Sequence, residues 1–144
     1  MEEQTGAPQP RHTAAELRAL LRREPGSPVR ELIRVRLGVI NFVYAVRLAN
    51  GLACFVKLAP GGPGNRHLRE EVRAFERCRA IGVPTPEVLA FDPAPTAVPE
   101  AYHITRRIPG ENGLQAKLSR DERLSAFRQL GHYLALIHTI HLSG

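Results

Sequence analysis

Leu52-Ala53-Cys54-Phe55-Val56-Lys57-Leu58, followed by Ala59-Pro60-Gly61-Gly62, is the stretch on which the fold turns. It is short and apolar, with Asn50-Gly51 before it and Pro60-Gly61 after it, which is the punctuation of a buried strand. One lysine interrupts it. The chain carries eighteen arginines and two lysines, so generic positive charge is normally supplied by arginine. A compact ammonium in an apolar strand needs a partner, because an unpaired buried charge is costly. Two kinds of partner are open: a carboxylate on a neighbouring helix, and the phosphates of a nucleotide.

Upstream, Phe42 to Leu48 reads as a strand, joined to the lysine strand by the hairpin-type turn Ala49-Asn50-Gly51. Before it, Val29 to Gly38 alternates, with Ile33, Val35 and Leu37 on one face and Arg34 and Arg36 on the other. That is a half-buried strand, and Gly38-Val39-Ile40-Asn41 is the turn that follows. Three strands with short connections make an antiparallel meander. Earlier still, Thr13-Ala14-Ala15-Glu16 is a capping box that opens a short amphipathic helix. Leu17, Leu20 and Leu21 form its apolar side, and Pro25-Gly26-Ser27-Pro28 ends it. Residues 1–12, with Gly6, Pro8 and Pro10, are expected to be disordered.

Downstream, residues 60–65 form a loop and Arg66 to Ile81 a helix whose apolar positions are Leu68, Val72, Phe75 and Cys78. At about 100° per residue, Glu71 falls within that stripe and Glu70 points nearly opposite. A carboxylate on a buried stripe is the unusual feature of this helix. Gly82 stops it, and Val83-Pro84-Thr85-Pro86 forces an extended segment. Val88 to Phe91 is a fourth strand, Asp92 to Pro99 a surface loop, and Ala101 to Ile108 a fifth strand closed by Pro109-Gly110. Residues 111–117 are irregular. Ser119-Arg120-Asp121-Glu122 is a second capping box, and the helix after it runs toward His141. Its inner face carries Leu124, Phe127, Leu130, Leu134, Ile137 and His138. The expected class is α+β: a five-stranded antiparallel sheet with one packed helix, then the first helix of a further region.

Composition narrows the function classes. A chain of 144 residues with 43% hydrophobic content can fold as one small domain. The two cysteines, Cys54 and Cys78, read as small core residues, with neither a disulfide framework nor a CxxC pair. No apolar run approaches a membrane span, and the acidic start Met1-Glu2-Glu3-Gln4 lacks an apolar signal core. A cytoplasmic protein without a membrane partner is expected. The net charge of +6 permits an anionic ligand, yet tryptophan is absent and the basic residues are dispersed. Nucleic acid is therefore not an expected partner.

The ordered set of motifs resembles the N-terminal part of the aminoglycoside phosphotransferase and choline kinase-like family, which has the protein-kinase-like fold. The matching segments begin with Gly38-Val39-Ile40-Asn41-Phe42-Val43-Tyr44, Phe55-Val56-Lys57 and Leu68-Arg69-Glu70-Glu71. They continue with Gly82-Val83-Pro84-Thr85-Pro86, Ile104-Thr105-Arg106-Arg107-Ile108-Pro109-Gly110 and Leu130-Gly131-His132-Tyr133-Leu134. The resemblance implies a nucleotide-binding small lobe over residues 29–110, preceded by residues 1–28 and followed over 111–144 by a linker and the first large-lobe helix. It implies transfer of the ATP γ-phosphate to a hydroxyl of a small molecule, with Mg²⁺ as the accompanying metal.

By the same resemblance Lys57 would hold the α- and β-phosphates and Glu71 would orient it. The alternatives are a strand-end lysine that snorkels to water and an ordinary surface glutamate. The Gly38 to Asn41 turn would cover phosphate with backbone N–H groups, or serve simply as a turn. Phe55, on the same strand face as Lys57, would pack on adenine or in the core. The backbone of Arg106, Arg107 and Ile108 would hydrogen-bond adenine at the hinge between lobes. His132, His138 and His141 lack the spacing of a helical metal site, and His138 is expected to be a core histidine.

The family's catalytic base and metal ligands have no counterpart here: Asp92 and Asp121 are the two aspartates, and both have turn or cap explanations. The resemblance therefore implies the nucleotide-binding half of such an enzyme, inactive by itself, with Mg²⁺ ligands and acceptor site elsewhere. A second reading is a non-catalytic module that binds nucleotide or a partner protein. Self-association through an exposed apolar face of the 119–141 helix belongs to that reading.

Overall fold

The computed structural model describes residues 9–36, 40–61, 65–113 and 115–141. Its elements in order are helix α1 (Ala14–Arg23), strands β1 (Val29–Val35), β2 (Phe42–Leu48) and β3 (Ala53–Ala59), helix α2 (Arg66–Ala80), strands β4 (Val88–Asp92) and β5 (Ala101–Arg106), and helix α3 (Arg120–Ile137). The five strands form one antiparallel sheet in the order β1-β2-β3-β5-β4. The lysine strand is thus central, hydrogen-bonded to β2 on one side and β5 on the other. By contacts the chain divides into a first unit of residues 1–72 and 86–107 and a second of residues 73–85 and 108–144.

In the first unit, strand parity sorts the side chains. Cys54, Val56 and Leu58 are fully buried on one face of β3, with Val46 and Leu48 of β2 and Tyr102 and Ile104 of β5. Leu17, Leu20 and Leu21 of α1 close this core, each at most 1% exposed. A sheet face and a helix stripe can each lose their apolar surface only against another element, which is why they meet. Burial pushes the Cys54 thiol up to about 11, so it packs as an inert core residue. The helix also begins as its sequence dictates: the Thr13 side chain accepts from the Glu16 N–H, and Glu16 accepts from the Thr13 N–H at 2.7 Å.

Two expectations need correction in this unit. The expected alternation of β1 is not the observed one: Val29, Leu32 and Val35 are half-buried and the residues between them exposed. Leu32 packs on the core beside Val46, whereas Ile33 is 54% exposed and pairs with Ala45 on the other face. A register irregularity between Val29 and Glu31 resets the strand. Second, the start of the chain is engaged rather than disordered at Arg11 and His12. The Arg11 amide donates to Glu100 at 2.7 Å, and His12 bridges Tyr44 (2.8 Å) and Glu100 (3.1 Å). Glu100 is 1% exposed, and these contacts are what allow a carboxylate so deep. The start of α2 packs on the opposite sheet face, its Leu68 against Ala59 and Ala101.

The second unit contains the end of α2, where Gly82 adopts φ +82°. The Val83 amide donates back to Cys78 at 2.9 Å and the Gly82 amide to Arg79 at 3.1 Å, satisfying two carbonyls of the last turn. Helix α3 opens on the expected box of Ser119 and Glu122. No described residue of α3 is buried, and Phe127 is 69% exposed. His138 is therefore not a core histidine: it is exposed and forms the C-cap, its amide donating to Leu134 at 3.1 Å. Cys78 is half-buried rather than part of a core.

Candidate functional site

The face of β3 opposite the α1 core carries Phe55, Lys57 and Ala59. Helix α2 is set over this face by two local features. The Asn65 side chain accepts from the Leu68 amide at 3.1 Å, which starts the helix. Leu68, 2% exposed, packs against Ala59, Ala101 and Phe91. Glu71 follows three residues later, on the same side of the helix, and Val72 beside it is 4% exposed. Glu70 points away and pairs with Arg66 at 2.6 Å near the surface.

Lys57 Nζ stands 2.7 Å from both carboxylate oxygens of Glu71. The pair is partly enclosed, at 24% and 31% side-chain exposure. A third group faces it. His103 of β5 lies directly across the ladder from Lys57, is 5% exposed in its side chain, and brings Nε2 within 3.6 Å of Glu71 Oε2. His103 and then Lys57 hold the Glu71 carboxyl down to about 2, against burial, which pushes it up. On distance alone the ammonium is the closer partner. Chemically this is an ammonium with fixed position, a permanent counter-charge and a partly open side, able to direct N–H groups at an anion.

The other expected residues are distributed differently. Phe55 shares the Lys57 face, half-buried, with the Arg107 guanidinium 5.9 Å from its ring centre. The amides of Arg106 and Arg107 are already engaged, donating to the carbonyls of Glu87 (2.8 Å) and Ala53 (2.9 Å). The Arg106 side chain pairs with Glu87 at 2.6 Å. Ile108 lies in the second unit and is 60% exposed. Asn41 lines a polar cleft of about 380 Å³ with Gln9, Arg34, Val35 and Arg36. Gly38 falls outside the described residues.

His103 escaped the sequence reading. The signal was present: Tyr102 and Ile104 are apolar neighbours on one face of β5, which puts His103 on the other. What no local pattern supplied was the pairing of β5 with β3, and hence the partner of its imidazole.

A family model described as "Phosphotransferase enzyme family" matches residues 31–143. Among solved structures, a putative fructosamine-3-kinase from Thermobifida fusca YX-ER1 superposes with a TM-score of 0.60 at 21% identity. The match covers 92% of this chain and 40% of that one, so the chain spans less than half the neighbour's length. The two share the fold. No curated protein matches the chain.

Proposed function

This chain belongs to the phosphotransferase enzyme family, and we propose that it serves ATP-dependent phosphoryl transfer to a hydroxyl of a small molecule by holding the nucleotide. Lys57 contacts the α- and β-phosphates, and Glu71 orients it. The observation that carries this is the pair itself: an ammonium kept by a central strand and gripped through both oxygens of one helix carboxylate. A lysine serving only solubility would not be placed on an enclosed sheet face. Phosphoryl transfer depends chiefly on positioning and charge stabilisation, and a pre-set cation contributes to both. Phe55, on the same face, offers an apolar surface to the purine.

Mg²⁺ is the metal such chemistry uses, to neutralise phosphate charge. Among the described residues no His, Cys, Asp or Glu side chains gather in a group of three or more, and the Asp92 carboxylate accepts from the Ala94 amide at 2.9 Å. The acceptor is proposed only as a class, a small hydroxylated molecule, with aminoglycosides and sugar amines as candidates. Titration with a fluorescent ATP analogue tests the reading: Lys57→Ala is expected to abolish binding, and unchanged affinity would reject it.

A second reading, a non-catalytic module that binds nucleotide or a partner protein, draws on one observation. Leu124, Phe127, Leu130 and Leu134 of α3 are between 46% and 69% exposed. Phosphoryl transfer by the purified chain to a hydroxylated acceptor would dismiss it.

A further inference from the structure

We propose that His103 is the positioning residue of this site, fixing the Glu71 carboxylate so that the Lys57 ammonium is presented to phosphate. The inference rests on the nucleotide reading of Lys57 and deepens it. Three observations meet at this residue. His103 is registered opposite Lys57 on β3 and, on its other side, opposite Phe91 on β4. Its side chain is 5% exposed, so its ring has little rotational freedom and little competing water. Its Nε2 faces Oε2 of Glu71, 3.6 Å away, while Lys57 approaches both oxygens at 2.7 Å.

The need for such a group follows from counting donors. An ammonium has three N–H groups and a carboxylate about four acceptor directions. With two of the three directed at the Glu71 oxygens, one remains for an incoming phosphate. Contact with both the α- and β-phosphates then makes Lys57 turn part of its donor set away from Glu71. A glutamate held by lysine alone would then be free to follow the ammonium or swing toward water. With its proton on Nε2, His103 points an N–H at Oε2 from 3.6 Å and holds the carboxylate electrostatically when the lysine divides its contacts. The imidazole never touches the nucleotide in this scheme; it acts through Glu71. Glu71 is the acidic side chain facing His103 from α2, Lys57 is the cation facing it from β3, and the β4 residue opposite it is the uncharged Phe91.

The test uses the whole chain and a fluorescent ATP analogue, with Lys57→Ala as the control for the underlying reading. His103→Leu keeps the volume and removes the donor; His103→Gln restores a donor. Leu is expected to weaken binding about tenfold, the loss of one buried polar contact to a charged group, and Gln to recover most of it. A second readout needs no ligand. The carboxyl carbon of Glu71, followed by NMR, should titrate near 2 in the parent and clearly higher in His103→Leu, with Gln between. A Leu variant that binds like the parent while Lys57→Ala does not would overturn the positioning role alone. Parent-like binding by Lys57→Ala would overturn the nucleotide reading. An unshifted Glu71 titration in His103→Leu would remove the coupling on which the proposal stands, and so would a Gln variant as impaired as Leu.

Discussion

Lys57 on β3 and Glu71 on α2 are fourteen residues apart in sequence and joined by two contacts of 2.7 Å, one to each carboxylate oxygen. The contact ties the central strand to the helix above it, so it is a structural fastening as well as a charge arrangement. Removing one partner of an enclosed pair leaves the other uncompensated, and the remaining exposure lets water moderate the cost. Glu71→Gln is expected to lower unfolding stability by about 1–2 kcal/mol, between the ranges for surface and buried pairs. Urea denaturation measures it, and an unchanged midpoint would show that the pair fastens nothing.

The type of cation should matter as much as its charge. Lysine presents a compact ammonium on a flexible stem, whereas arginine presents a planar fork with its own geometry. Lys57→Arg preserves charge but cannot place one nitrogen 2.7 Å from both Glu71 oxygens and leave a third donor for phosphate. Nucleotide affinity is expected to fall by about tenfold or more. Affinity equal to the parent in the ATP-analogue titration would mean that bulk positive charge suffices.

Acid should loosen the same contact. The Glu71 carboxyl titrates near 2 in the fold, below its ordinary value of 4.5. A carboxyl depressed by folding contributes stability that is complete above its unfolded value and lost as pH falls toward the folded one. The parent should therefore lose more stability than Glu71→Gln between about pH 4.5 and 2. Parallel stability curves for the two proteins across that window would contradict the assignment.

Core and exposed apolar residues should separate sharply. Leu20 on α1 is 1% exposed and sits against the sheet, so Leu20→Ala is expected to cost about 2–5 kcal/mol. Phe127 on α3 is 69% exposed, and Phe127→Ser should stay within about 0.5 kcal/mol. Denaturant midpoints of the two variants decide this. A large loss at Phe127 would reveal packing on α3 that its exposure denies.

Gly82 offers a backbone test. At φ +82° an added Cβ has no close neighbour, yet the conformation itself disfavours a side chain. Gly82→Ala should cost about 1–2 kcal/mol by backbone strain alone. Gly82→Asn, which tolerates this region better, should cost less. Equal stability of all three proteins would show that the helix ends without needing this turn.

Much of this was legible in the chain itself. Both capping boxes, at Thr13 and Ser119, exist as written, because a cap needs residues only three positions apart. The choice of Glu71 over Glu70 followed from helical periodicity alone, and Lys57 stood out by composition. These are local signals, carried by spacing within one element. The burial pattern of β1 was not local. Ile33 and Leu32 are both good strand residues, and which one turns inward depends on the register against β2. His103 gained its meaning only when β5 paired with β3, placing it opposite Lys57 at a sequence separation of forty-six. Likewise Glu100 could lie buried only because Arg11 and His12 came to it from the far end of the chain.

The amino-acid order by itself determined the elements, their caps and the two charged residues that do not belong on apolar faces. The tertiary structure decided which strands became neighbours, which face of the sheet held the core, and that an imidazole would complete the lysine and glutamate pair. The division has a physical cause. Periodicity and capping act over a few residues of backbone, whereas register and burial are set by which distant surfaces exclude water together.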